Sequence, residues 1–392
     1  MSKQISYWIY LFPAVMDFSL VGLGVFSTVK AINLGAGPVA LGLLGTAWGT
    51  GYALTSLGLV QLSDVARADF FMKGSAFAFI VLAIGMTLAG STGMLIFLSW
   101  LTGISCAFFF IGFQLSMSQL ARLSTAASVA AYNLSWSLGF ACGSLAESFL
   151  FSHGSLVAVS PVIFGSFLVI GGLQLIEKKK NLGKIIPEIE AGKNQRGNSP
   201  FLQMGWTGLA AVAFLGAGFR YLFPEISIRY FSLPLRETGL LFFLFFLMQS
   251  IVGLFLHRRF SWQYQLWPLV GNGVLGIAGC LLAIVLGGKP GLVAFVILLG
   301  LYSGYGFFYG VFYSLDSYQC GRNISVNESI VGLTGIVGPL MMGLTLKKGF
   351  AGYLGVCAVI IFSAVVWQVL LGPSRKIRAG GRNDCGDEAR LQ

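Results

Sequence analysis

The stretch YLFPAVMDFSLVGLG, residues 10–24, places a single acid, Asp17, among apolar neighbours. An ionised carboxylate in hydrocarbon costs several kcal/mol unless it is neutralised, paired or set in a water-filled cavity, so the chemistry it offers is reversible proton binding. The alternative is a structural carboxylate hydrogen-bonded to a neighbouring helix. Tyr302, Tyr305, Tyr309 and Tyr313 recur at steps of three, four and four, which puts four phenols on one helical face. Facing a cavity, they offer flat apolar surfaces with hydrogen-bonding tips, suited to an amphipathic organic molecule or a cation. Otherwise they knit their helix to its neighbours. Arg220, close to Glu225, either captures an anion or snorkels to the membrane interface. Glu147 is a second protonatable group if it faces inward, and an outer-gate or surface group if it does not. Gln114, Asn133, Trp136 and Gln249 are uncharged polar or aromatic residues suited to a cavity wall.

The elements that must position these residues follow from composition. Of 392 residues 56% are hydrophobic and 10% charged, well outside the balance of a soluble domain. Apolar segments of about 20 residues, enough to cross a bilayer, recur from Tyr7 to Leu371. Twelve are placed, at 6–31, 38–61, 70–90, 94–117, 125–151, 156–176, 203–226, 236–256, 264–287, 291–316, 326–346 and 350–372. An all-α membrane protein is expected.

The net charge of +11 is distributed between spans rather than gathered on a surface that would meet nucleic acid. With a cytoplasmic N-terminus, the inside collects Lys3, the run from Lys178 to Lys180, Arg258, Arg259 and the basic tail. The outside keeps only Lys30, Arg229, Arg236, Lys289, Lys347 and Lys348. This asymmetry predicts both termini in the cytoplasm. No removable signal peptide is expected ahead of the first span.

The longest polar interruption, EKKKNLGKIIPEIEAGKNQRGNSP (177–200), divides the spans six and six. It predicts a bundle at 1–176, a linker at 177–200, a second bundle at 201–373 and a tail at 374–392. At an offset of 197, Phe26 meets Phe223 and Gly42 meets Gly239; with small shifts Gly112 meets Gly310 and Ser116 meets Ser314. Matches in order at nearly one offset argue for a parallel six-helix repeat.

Twelve spans, a six-plus-six split by a basic linker and parallel halves resemble the major facilitator superfamily across nearly the whole chain. Between its second and third spans the family has a glycine, an aspartate and then basic residues; VQLSDVARAD (60–69) keeps Asp64 and Arg67 without the glycine. The arginine that drug/proton antiporters of the family carry in the fourth span has no counterpart from Met94 to Ala121. The fifth-span glycine motif survives as Gly139 and Gly143, and its eleventh-span counterpart as Gly335, Gly338 and Pro339. The resemblance implies a central cavity lined by the first helix of each half, which supplies the water Asp17 needs to load and unload a proton. It also implies that Asp64, Arg67 and Arg122 in one half, and Arg258 or Arg259 with Asp316 in the other, act as cytoplasmic latches. The alternative is ordinary loop charge.

Other chemistry is excluded. His153 and His257 stand alone, and the six cysteines have no paired metal spacing, so neither metal nor cofactor is expected. No phosphate-cradling glycine-lysine loop or nucleophilic triad occurs, and the polar segments are too short to fold a catalytic domain. The expectation is a secondary transporter, not an enzyme, monomeric in a bacterial inner membrane. It would move a small, partly apolar organic solute by alternating access, coupled to protons. An uncoupled facilitator, a lipid or lysolipid translocase, and a transporter-like sensor or assembly protein are the alternatives.

Overall fold

A computed structural model describes residues 8–59, 68–118, 125–182, 200–258, 260–317 and 320–372. Among them run twelve long α-helices: α1 (Leu11–Asn33), α2 (Pro38–Leu59), α3 (Ala68–Leu88), α4 (Thr92–Ser118), α5 (Thr125–Leu150), α6 (Ser155–Leu182), α7 (Pro200–Glu225), α8 (Leu235–Leu256), α9 (Trp267–Leu286), α10 (Gly288–Leu315), α11 (Cys320–Leu346) and α12 (Phe350–Leu370). Helices close all their backbone hydrogen bonds internally, the requirement for backbone placed in hydrocarbon. A π-turn over Ile226–Tyr230 prolongs α7. Glycines at positive φ set two of the bends between helices, Gly154 (106°) before α6 and Gly349 (111°) before α12.

Ten of these helices are long and apolar enough to cross a membrane, two fewer than the twelve spans expected. The exceptions are α2 and α5, whose glycines, serines and threonines lower their hydropathy. The reason is in the packing. Helices α2 and α5 give much of their surface to other helices, α2 packing on α4 and α11 and α5 on α1 and α8.

The contacts repeat at an interval of six helices. In the first six, α1 packs on α5 and α6, α2 on α4, and α3 on α4 and α6; in the last six, α7 packs on α11 and α12, α8 on α10, and α9 on α10 and α12. Two long seams join the sets, α2 against α11 and α5 against α8, and each becomes the other when every helix is exchanged for its counterpart.

Both seams are close at the end of the bundle where α1 finishes and α2 begins, and the α2–α11 seam stays as close as far as Ala53, where a Cβ on Gly332 would lie 2.6 Å from the Ala53 Cα. A Cβ at Gly42 would lie 2.6 Å from the Pro339 carbonyl oxygen, and one at Gly239 would collide with the Ser148 side chain. Only glycine permits backbones this close. Toward the opposite end, where α6 finishes and α7 begins, a Cβ at Gly253 would find Asn133 at an ordinary 3.7 Å. The α5–α8 seam is thus pinched at the α1–α2 end and opens away from it, which leaves space between the sets.

Candidate functional site

That space is a cavity of about 570 Å³, counted to its open side, and its lining comes from both sets of helices. The first set supplies Asp17 and Leu20 from α1, Trp48 and Tyr52 from α2, Phe110 from α4, and Tyr132, Trp136 and Phe140 from α5. The second supplies Arg220 from α7, Phe307 and Val311 from α10, and Asn327, Glu328 and Val331 from α11. A second cavity of about 380 Å³ shares Trp48, Trp136, Phe140, Arg220, Phe307 and Val331 and extends to Gln249 and Ser303. Walls this aromatic, with three ionisable groups, suit an amphipathic organic ligand.

Asp17 is 3% exposed and its Oδ2 has no hydrogen-bond partner. It interacts electrostatically with Arg220 and with Glu328. The expected acid therefore does face a cavity between the two sets.

Arg220 lines the cavity, and Glu225 pairs with Arg229 at 3.0 Å, one helical turn on. The Arg220 guanidinium carbon lies 5.2 Å from the Trp48 ring centroid and 4.7 Å from that of Phe140, so a cation of the second set rests among aromatic faces of the first. Its Nε and Nη1 are buried without hydrogen-bond partners.

Glu328, which sequence reasoning missed, is 6% exposed and accepts three hydrogen bonds. Tyr52 Oη donates to its Oε2 at 2.5 Å; Gln114 Nε2 at 2.7 Å and Asn327 Nδ2 at 3.2 Å donate to its Oε1. Gln114 also donates to the Tyr132 hydroxyl at 3.3 Å. Two donors belong to α2 and α4 and the acid to α11, so the network crosses between the sets. The signal was available: SVNESIVGL holds an acid inside an apolar segment, as the Asp17 stretch does.

The remaining predicted residues divide. Trp136 lines both cavities, donates Nε1 to Asn133 Oδ1 at 3.0 Å and meets Phe307 edge-on at 5.0 Å. Gln249 lines the smaller cavity and accepts from Ser303 Oγ at 3.3 Å. Glu147 is buried away from both, close to Gly22 of α1 and with Oε1 unpartnered.

The tyrosine stripe does not face either cavity. Tyr302 and Tyr309 line a narrow crevice with Asn272, Gly273, Val365 and Gln368, within the second set. Tyr309 packs on Trp262 at 5.3 Å, and the Tyr313 hydroxyl accepts from the Tyr264 backbone N–H at 3.3 Å. The spacing does put the four rings in one row, but the row faces α7, α9 and α12; Ser303, Phe307 and Val311, on the other side of α10, face the cavities.

Of the expected latch residues, Asp64, Arg67, Arg122 and Arg259 lie outside the described residues. Asp316 accepts from the Tyr264 hydroxyl, while Arg258 is exposed, and no ion pair joins Asp316 to Arg258 among the described residues.

Two sets of six helices with matching contacts and a cavity between them have the architecture of a multi-pass membrane transporter. Residues 7–323 match the sequence profile of the Major Facilitator Superfamily, and the chain belongs to that family of multi-pass membrane transporters for small molecules. Two solved structures similar to it are those of a bacterial homologue of the human lysosomal transporter Spinster. In the inward-facing, occupied conformation the TM-score is 0.62; in the inward-facing, unoccupied conformation it is 0.64. Each comparison has 16% identity and covers 95% of this chain and 96% of the other, a likeness of fold alone. No curated protein sequence matches this one.

Proposed function

We propose that the protein is a secondary transporter that moves a small, partly apolar organic solute through the cavity by alternating access, with Asp17 carrying the coupling proton. The observation that supports this most is Asp17 itself: a buried carboxylate with one oxygen unpartnered, on the wall of a cavity shared by both sets. An acid so placed gains or loses a proton according to which side the cavity opens to.

In this reading residues 1–176 and 201–373 rock as two bodies about the linker at 177–200, with both termini, including the tail at 374–392, in the cytoplasm of a bacterial inner membrane. The network around Glu328 is the latch between them, in place of the loop charges. The protein works as a monomer in this reading, with a single chain lining the cavity from both sets of helices.

The test is transport in proteoliposomes with an imposed pH gradient. Substrate accumulation that follows the gradient in the wild type and is lost in Asp17→Asn supports coupling through this acid. Accumulation indifferent to dissipating the gradient would make the protein an uncoupled facilitator.

A further inference from the structure

Three ionisable side chains line the main cavity: Asp17, Glu328 and Arg220. Their options differ. Either acid can become neutral by taking up a proton, but a guanidinium stays charged at any accessible pH. Arg220 is therefore the permanent charge of the site. The rings of Trp48 and Phe140 compensate that charge in part, but they leave Nε and Nη1 without a hydrogen-bond acceptor. Buried donors without acceptors are costly, and a charged group more so. Glu328 does not fill the role of acceptor, because its hydrogen bonds come from Tyr52, Gln114 and Asn327.

We infer that the transported solute is an amphipathic organic anion whose charged group docks on the Arg220 guanidinium where it lines the cavity, while its apolar body lies against Trp136, Phe140 and Phe307, and that it enters with a proton on Asp17. The inference rests on the transporter reading above. The second half of it follows from charge. One guanidinium then faces three negative groups, the Asp17 and Glu328 carboxylates and the ligand, and a low-dielectric cavity penalises the excess. Protonating Asp17 removes one competitor, so anion and proton bind together and leave together.

The groups facing Asp17 from the packed elements are Arg220 on α7, Glu328 on α11, Cys106 on α4 and Tyr132 on α5; Tyr52 on α2 lines the same cavity. Glu328 is the one other carboxylate among them, and both its oxygens already accept hydrogen bonds from Tyr52, Gln114 and Asn327, whereas Asp17 Oδ2 has no partner. The anion's source is either soluble or the bilayer, since a short-chain carboxylate and a fatty acid present the same chemistry to Arg220.

The experiment uses the full chain purified in neutral detergent, with indole-3-acetate as soluble anion, tryptamine as its cationic counterpart on the same ring, and laurate as membrane-derived anion. One of the two anions is expected to raise the melting temperature and to bind at least about tenfold more tightly than tryptamine; which one does so identifies the source. Tryptamine binding as well as or better than both anions overturns the inference. Arg220→Gln is expected to weaken anion binding by about tenfold to a hundredfold, with partial recovery in Arg220→Lys; equal binding by Arg220→Gln overturns it.

Should Arg220→Gln not fold, calorimetry of the wild type in two buffers of different ionisation enthalpy reads the same linkage. About one proton is expected to be taken up per anion bound, with affinity falling up to about tenfold per pH unit as pH rises through the titration of Asp17. Anion binding without proton uptake overturns the inference and leaves the transporter reading standing. Tight, proton-linked anion binding with no flux in proteoliposomes does the reverse.

Discussion

Tyr52 on α2 donates its hydroxyl to Glu328 on α11 across 2.5 Å, one of three hydrogen bonds that this acid accepts. Because Gln114 is a second donor from the first set of helices, the acid ties α11 to α2 and to α4 at once. The tie lies seven residues from the end of α2, on the cavity side of the glycine seam. Opening the cavity further at the α6–α7 end must stretch these bonds.

Breaking this tie should therefore alter the balance of conformations more than the fold. A double-mutant cycle of Tyr52→Phe with Glu328→Gln, read by thermal unfolding in detergent, is expected to give a coupling of about 1–3 kcal/mol. A coupling indistinguishable from zero would mean that the two residues are neighbours and nothing more.

Asp17→Asn separates coupling from movement. The variant should lose gradient-driven accumulation while counterflow exchange of solute stays within about tenfold of wild type, since neutral asparagine mimics the protonated acid. Counterflow and accumulation lost together would point to a structural role for the carboxylate.

The α2–α11 seam predicts the opposite kind of defect. A Cβ at Gly49 would run into the Gly335 backbone, so Gly49→Ala should destabilise the state pinched at the α1–α2 end by about 1–3 kcal/mol. The measurement is thiol labelling of a cysteine introduced at Gly37: faster modification in the Gly49→Ala background is expected, and unchanged labelling would contradict it.

The two faces of α10 make contrasting predictions. Tyr309 has a buried hydroxyl without a partner, so Tyr309→Phe should leave KM within about twofold and stability unchanged or slightly raised. Phe307→Ala, on the cavity side, should raise KM for the transported solute by about tenfold or more. Equal effects at the two positions would mean that the solute reaches both faces.

Lys30 offers a purely structural check. Its Nζ donates to the carbonyls of Met86 and Thr87 at 3.0 and 2.7 Å, capping the end of α3. Lys30→Met should lower the melting temperature by the equivalent of about 0.5–2 kcal/mol without changing KM.

The parts of this architecture legible in the sequence were those written in chain-local patterns. Apolar runs marked each helix, and the 197-residue offset paired Gly42 with Gly239, which now prove to occupy matching places, one on each seam. Asp17 was legible because one acid in an apolar run has few places to go. Glu328 carried the same signal yet stood near a helix end among Asn323, Ser325 and Asn327, where polar residues are common. The tyrosine stripe shows the limit of periodicity: it establishes that residues share a face, not which neighbour that face meets. Chain position alone did not choose between the two readings of Arg220, since Trp48 and Phe140 come near it only after folding.

The low apolarity of α2 and α5 has a bearing on how the protein is made. A segment rich in glycine, serine and threonine partitions weakly from the insertion machinery into lipid, and each of these two helices has one of its main partners synthesised after it, α11 for α2 and α8 for α5. Biogenesis is then expected to carry α2 in as a hairpin with α1, and α5 with α6. Glycosylation mapping of chains truncated after each helix would show α5 spanning only once α6 has emerged from the ribosome.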